Sequence, residues 1–321
     1  MIIYDTDNVF FSDDKIFKNQ KVNSFLILFF QDSPRFARRH FMRFDFFTLG
    51  GRFFWEDIFY YQGWRIQRKI NTKTYRLLDS HDIRREEGAF EVCKDTLLKY
   101  ISACEIPTPP KDITIIIHGF ARTKKSVKKL KDTMYKKNIN AVIFNYCSLS
   151  TDLKHSAETL FSFVKNLPDS SNVYFVTIGA GCLLLRKLFE ICDNYRLLNI
   201  KGIVNINPIN SGSDFAFLLS RASFIRKILG PMLLNITPSE SMRLTKIPQD
   251  MPLFLIISPS KISVFFKHMF SRLESFPQLS PPAEATYSPN IKEMQTHTWF
   301  PMNNENMRIS CVEILKDLMH Q

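Results

Sequence analysis

The sequence predicts an α/β architecture: a mostly parallel central sheet with helices on both faces, preceded by a basic, aromatic N-terminal extension. Three observations carry this reading. Beyond residue 110, short apolar runs rich in β-branched residues alternate with amphipathic stretches of helical period, the pattern of strands linked by crossover helices. The runs are continuously apolar, as in strands buried on both faces. The composition shifts at Pro107-Thr108-Pro109-Pro110, and the basic, aromatic stretch before it has no clear periodicity. The expected division is therefore an extension over 1–110, packing on or beside the core, and an α/β domain over 111–321.

The strands are expected at 113–117, 141–145, 173–177, 202–206 and 253–258. A helix over 123–137 would place Val127, Leu130 and Met134 on one face, with Lys124, Lys128, Lys131 and Lys136 outward. Further helices are expected over 151–167, 180–192 and 305–319. The segment 211–252 mixes Phe215, Phe217, Phe224 and Leu229 with Arg221, Arg226 and Lys227. It reads either as a lid or as ordinary amphipathic helix packed on the core.

Composition bounds the function classes. Of 321 residues, 45% are hydrophobic and 23% charged, enough apolar material for a sizeable core. The net charge of +12 favours acidic partners, although lysines also simply solvate outer helices. No run reads as a nucleic-acid motif, so no nucleic acid is expected. Cys93, Cys104, Cys147, Cys182, Cys192 and Cys311 are scattered, with no CxxC and no metal-ligand spacing; no metal or cofactor is expected. Reduced thiols and an acidic start point to the cytoplasm, and the apolar run at 25–30 is too short for a membrane span. An anionic membrane surface is the alternative location. Arg35, Arg38, Arg39, Arg43 and Arg52 interleave with phenylalanines up to Phe54, and 264–270 adds a second apolar-basic patch. The same phenylalanines also read as core caps with snorkelling arginines.

In parallel sheets ligands bind at the carboxyl ends of strands, so the residues there are the informative ones. His118-Gly119-Phe120 follows the first strand of the domain. It reads as an oxyanion-binding loop or as a glycine turn with a structural histidine. Thr177-Ile178-Gly179-Ala180-Gly181 follows the third strand and opens a helix, the context of the G-x-S-x-G nucleophile elbow. Gly179 stands where that motif has serine. Glycine adopts the strained turn at little steric cost, so the turn survives and the hydroxyl does not.

The stretch from Val173 to Arg186 resembles the VxFVTHSxGGxLxR elbow of a family of bacterial lipase/esterase-like α/β-hydrolases. Asn145-Tyr146-Cys147-Ser148 resembles its (D/N)YPS, 207–213 its PPNQGS, and 224–231 its LFxxxxGP. Thr296-His297-Thr298 resembles the segment carrying its catalytic histidine. Gly63-Trp64-Arg65-Ile66-Gln67-Arg68 with 75–79 resembles the preface of some members. The resemblance implies the α/β-hydrolase fold, with Gly179 at the lost nucleophile position, His297 at the base position and Glu284 at the acid position. It implies oxyanion-hole N–H groups from Phe120 and Ala180, and a pocket beside His118, Gly119 and Ile178. Departures are Gly179 for the serine, Ile178 for the preceding histidine and Cys182 for the second glycine. The expected function is an inactive or strongly impaired homologue that binds an acyl or ester ligand or a partner. The alternatives are an active ester hydrolase with a substitute nucleophile (Ser148, Ser211 or Ser213, with Cys182 expected to point into packing from the first helical turn) and a peripheral membrane protein. His40, His81, His155, His268 and His320 are assigned exposed or packing roles.

Overall fold

The computed structural model describes residues 54–168, 170–258, 291–293 and 301–320. All of them belong to one compact unit, 51–321. Its first part is an antiparallel sheet in the order β1-β2-β3-β4, made of Trp55–Tyr61, Trp64–Lys69, Tyr75–Leu78 and Arg84–Gly88. Helix α1 (Phe90–Ala103) follows, and Cys93 and Leu97 on it pack with Trp64, Ile66 and Leu77.

The second part is a six-stranded sheet in the order β10-β9-β8-β7-β5-β6. Its strands are β5 (Asp112–Ile117), β6 (Ala141–Phe144), β7 (Asn172–Ile178), β8 (Ile200–Ile206), β9 (Leu253–Ile257) and β10 (Ile291–Glu293). All five pairings are parallel, with Ile113 opposite Val173 and Ile117 opposite Thr177. Successive side chains of a strand point to opposite faces, and the core divides accordingly. Ile113, Ile115, Ile117 and Phe175 pack with α3 (Leu153–Lys165) and α4 (Gly181–Ile191). Ile116, Val176 and Val204 pack with α2 (Lys128–Lys136) and α9 (Glu305–Met319) on the other face. The parallel sheet with helices on both faces is thus what the sequence predicts.

Three local features differ from expectation, the first being the short edge strand β10, which none of the five expected strands covers. The 123–137 helix is split: Lys124–Val127 is a 3₁₀ turn and α2 begins at Lys128. Ser126 sends both its N–H (2.9 Å) and its hydroxyl (2.8 Å) to the Thr123 carbonyl, tightening the turn. Within the aperiodic stretch before Pro107, the described residues form the antiparallel sheet and α1, and the strand pattern is masked by buried, paired polar residues.

Within 211–252 lie four short helices, α5 (Asp214–Ser220), α6 (Ser223–Leu229), α7 (Met232–Asn235) and α8 (Pro238–Ser241). Ala216, Ile225, Met232, Leu233 and Ile236 join the same core cluster as α3 and α4. Gly230 lies at φ +75°, and a Cβ there would collide with the Leu149 carbonyl. Among the described residues no helix is long and apolar enough to cross a membrane.

Candidate site at the strand ends

The chain leaves β5 for β6, then crosses back to place β7 on the other side of β5. The crevice outside the carboxyl ends of β5 and β7 is where such a reversal favours ligand binding. His118-Gly119-Phe120 and Ile178-Gly179-Ala180 both lie there.

Close packing governs the turn from β7 into α4. A Cβ on Gly181 would lie 2.9 Å from the Ile117 carbonyl oxygen and 3.2 Å from that of His118, so the helix start approaches the end of β5 only without a side chain. A Cβ on Gly119 would lie 3.2 Å from the Ile178 carbonyl oxygen. Gly179 is different. Its φ is +55°, its N–H donates to the Ile206 carbonyl at 3.0 Å, and among the described residues a Cβ there would meet nothing within 4 Å. It forms the crest of the turn, pointing into open space. Among the described residues no acceptor takes the N–H of Phe120 or of Ala180.

The segment after β6 holds the β5 turn in place. The Ala121 N–H, at φ +54°, donates to Ser148 Oγ at 3.1 Å, and the Tyr146 hydroxyl donates to the His118 carbonyl at 2.8 Å. His118 is fully buried and stacks on Tyr146, with ring centroids 4.4 Å apart and an 11° tilt. Its Nδ1 donates to the Gly119 carbonyl at 3.0 Å, and among the described residues its Nε2 has no partner. Burial lowers its pKa to about 4, so the ring is neutral at pH 7. His118 therefore props the loop from inside. Phe120 is half-buried against the α3/α4 face, and half-buried Ile178 packs on the opposite one.

Of the substitute nucleophiles, Ser148 and Ser213 hold structural hydrogen bonds and Cys182 is buried. Ser148 is fully buried and accepts from Ala121. Ser213 caps α5 by accepting the Ala216 N–H at 3.2 Å. Cys182 is fully buried in the α3/α4 cluster, and Ser211 is half-buried after β8. His297 and Glu284 lie outside the described residues, as do His40, His268, the 264–270 patch and, apart from Phe54, the arginine–phenylalanine patch.

The sequence reading missed a buried polar network that joins the antiparallel sheet to the parallel one. Asp57 is fully buried. Its N–H donates to the Asn145 carbonyl and its Oδ2 accepts the Asn145 N–H, both at 2.9 Å, while Gln67 Nε2 donates to Oδ1 at 2.7 Å. His155, assigned no partner above, donates from Nε2 to the buried Glu56 carboxylate at 3.0 Å. Arg68 completes that cluster at 2.6 Å from Glu56. The hydrogen bond to Glu56 raises the His155 pKa. The available signal was register: Asp57 faces Gln67 and Glu56 faces Arg68 across β1 and β2. Arg186 is also buried. Its guanidinium donates to the carbonyls of Asn210 and Leu244, each at 2.6 Å, and of Thr245 at 3.0 Å, tying α4 to both ends of the four-helix segment.

No protein-family model matches the sequence, and no curated protein matches it. Among solved structures the chain is similar to the mature form of the Bacillus licheniformis lipase BlEst2, at 12% identity, over 65% of this chain and 93% of that one, with a TM-score of 0.49. It is similar to a thermophilic esterase from Thermogutta terrifontis at 12% identity, over 64% of this chain and 90% of that one, with a TM-score of 0.43. Similarity to the phospholipase PlaB from Legionella pneumophila is at 18% identity, over 49% of this chain and 41% of that one, with a TM-score of 0.39.

Proposed function

We propose that this protein is a lipase/esterase-like α/β-hydrolase homologue without turnover, which keeps its strand-end site for an acyl or ester ligand. The observation that carries this reading is Gly179. It occupies the crest between β7 and α4, where a nucleophile would stand, with a left-handed backbone and no side chain. Covalent acyl transfer needs an activated hydroxyl or thiol at the crest. Ser148, Ser213 and Cys182 are each buried or engaged in holding the fold. The unengaged N–H groups of Phe120 and Ala180 support the ligand part, since such donors suit a carbonyl or carboxylate oxygen.

The test is active-site labelling. The purified protein, treated with a fluorophosphonate probe and with p-nitrophenyl butyrate and octanoate, is expected to stay unlabelled and to hydrolyse neither ester above background. A loss on the order of 10⁶ in kcat accompanies removal of the serine nucleophile from a serine protease. Labelling mapped to Ser148, Ser211, Ser213 or Cys182 overturns the proposal. Retained binding is read as a rise in melting temperature with hexyl butyrate, and no rise removes the ligand part.

A further inference from the structure

The 3₁₀ turn and α2 carry Lys124, Lys125, Lys128, Lys129, Lys131, Lys136 and Lys137 within fourteen positions, and the acid among them is Asp132. Val127, Leu130 and Met134 turn into the core. At 100° per residue the opposite side of the helix holds Lys128, Lys129, Asp132, Tyr135 and Lys136, and all five are exposed. Tyr135 is 79% exposed, an aromatic ring standing in water between lysines. Lys128 pairs with Asp132 at 2.8 Å and Lys124 with Asp82 at 2.5 Å. Lys125, Lys131, Lys136 and Lys137 make no ion pair among the described residues. The crowding is real: burial, with the charges of Arg65 and Lys124 added, holds the Lys131 amine below its usual range. Beside this face, between α2 and α9, a cavity of about 110 Å³ is lined by Thr133, Lys137, Ile309, Val312, Glu313 and Lys316.

We propose that the outer face of α2, with the neighbouring α2–α9 groove, docks this protein on an anionic lipid bilayer. Uncompensated like charge on one helix face repels itself, and a negatively charged surface relieves that repulsion. A cluster of four to eight basic residues on an amphipathic helix suits a leaflet rich in anionic headgroups. Lysine heads on flexible stems adapt to a diffuse headgroup layer, whereas base and phosphate readout in nucleic acid favours the arginine fork. The exposed side of α2 has lysine and no arginine. Tyrosine sits at the headgroup level of bilayers, with its ring among acyl carbons and its hydroxyl in water. The groove adds Ile309 and Val312 beside two lysines and one glutamate, Glu313, so its apolar residues rather than its charge extend the docking face. This surface lies on the α2/α9 face of the sheet, and the strand-end crevice is built separately.

The test is vesicle sedimentation of the full-length protein with phosphatidylcholine alone and with about 30% phosphatidylserine, at roughly 0.1 M salt where the Debye length is ~10 Å. Binding is expected only to the anionic vesicles and is expected to fall as salt rises. Each lysine near the surface contributes about fivefold in affinity, so the triple variant K125Q/K129Q/K136Q should bind on the order of 100-fold more weakly. The control K73Q/K99Q/K201Q, three exposed lysines elsewhere, should bind like the parent, and thermal melts of both variants check folding. Tyr135→Ser should weaken binding without changing its salt dependence. Equal binding to neutral vesicles, no binding to either, or a triple variant indistinguishable from the parent overturns the proposal. Tighter binding to a short RNA or DNA duplex than to anionic vesicles, lost in the same triple variant, would reassign the surface to nucleic acid.

Discussion

Two glycines two residues apart in the same turn should respond differently to the same substitution. At Gly179 a serine Cβ enters open space, and its cost is the left-handed backbone at φ +55°. For a residue with a side chain that conformation costs roughly 1–2 kcal/mol, with no steric addition. At Gly181 a serine Cβ would sit 2.9 Å from the Ile117 carbonyl oxygen and 3.2 Å from that of His118. Both are backbone atoms at the end of a strand paired on both sides, to β6 and to β7, so neither can retreat cheaply. Overpacking of this kind costs about 3 kcal/mol at the upper end of its usual range. Urea denaturation at 25 °C on the parent, Gly179→Ser and Gly181→Ser separates the two. The expected order is parent, then Gly179→Ser, then Gly181→Ser. A Gly179→Ser variant as unstable as Gly181→Ser, or less stable, refutes the elbow argument, because it would mean that position 179 is packed. Fluorophosphonate labelling of the folded Gly179→Ser protein then reports on His297: labelling places its imidazole within reach of the new hydroxyl.

Three further outcomes follow from the supports of the site. The His118 ring binds a proton near pH 6.5 when unfolded and near pH 4 when folded, so its stabilisation is complete above pH 6.5 and is lost as pH falls through that window to about 4. The loss approaches roughly 3 kcal/mol, and His118→Phe should remove that slope from urea titrations at pH 7 and pH 4.5. Asp57→Ala strips a buried carboxylate from the Asn145 N–H and Gln67; it should cost roughly 3 kcal/mol or more and speed amide exchange at Asn145. Arg186→Leu leaves the carbonyls of Asn210, Leu244 and Thr245 without their donor. It should cost about 3 kcal/mol and speed exchange across 211–245 more than in β5 or β7.

Five of the six strands of the parallel sheet were legible because each is a mainly apolar run, whereas β10, Ile291-Lys292-Glu293, carries no such run and was not foreseen. The run at 113–117 reads the same in any register, and the structure extends it by one residue to Asp112. The final helix was legible to its ends, since Asn304 accepts the Met307 N–H as its cap. The antiparallel sheet was not legible, and the reason is physical. Glu56, Asp57, Arg65 and Gln67 are buried, so the contrast between apolar-in and polar-out that reveals a half-buried strand is erased. The 3₁₀ turn ahead of α2 was hidden because lysine spacing does not register one serine hydroxyl competing for the Thr123 carbonyl. In the site, the sequence pointed to the turns after β5 and β7, but not to Tyr146 and Ser148 as the groups that hold the first of them. Those contacts cross from the loop after β6, and no spacing along the chain encodes them.

The distribution of steric constraint around the elbow bears on what glycine does at position 179. Gly181 is required by the approach of α4 to β5, and Gly119 by the Ile178 carbonyl; replacing either disturbs backbone atoms. Among the described residues, position 179 alone of these three has room for a side chain. Glycine there relaxes a left-handed turn by roughly 1–2 kcal/mol and removes no packing. The Gly179 N–H still pairs with the Ile206 carbonyl, and the Gly179 carbonyl still accepts the Cys182 N–H at 3.3 Å as α4 begins. Among the described residues, the demand that distinguishes serine from glycine at the crest is therefore the left-handed backbone and not packing. Glycine at 179 thus keeps the turn, with its hydrogen bonds to Ile206 and Cys182, at less backbone strain than serine would carry, and it supplies no side-chain hydroxyl there.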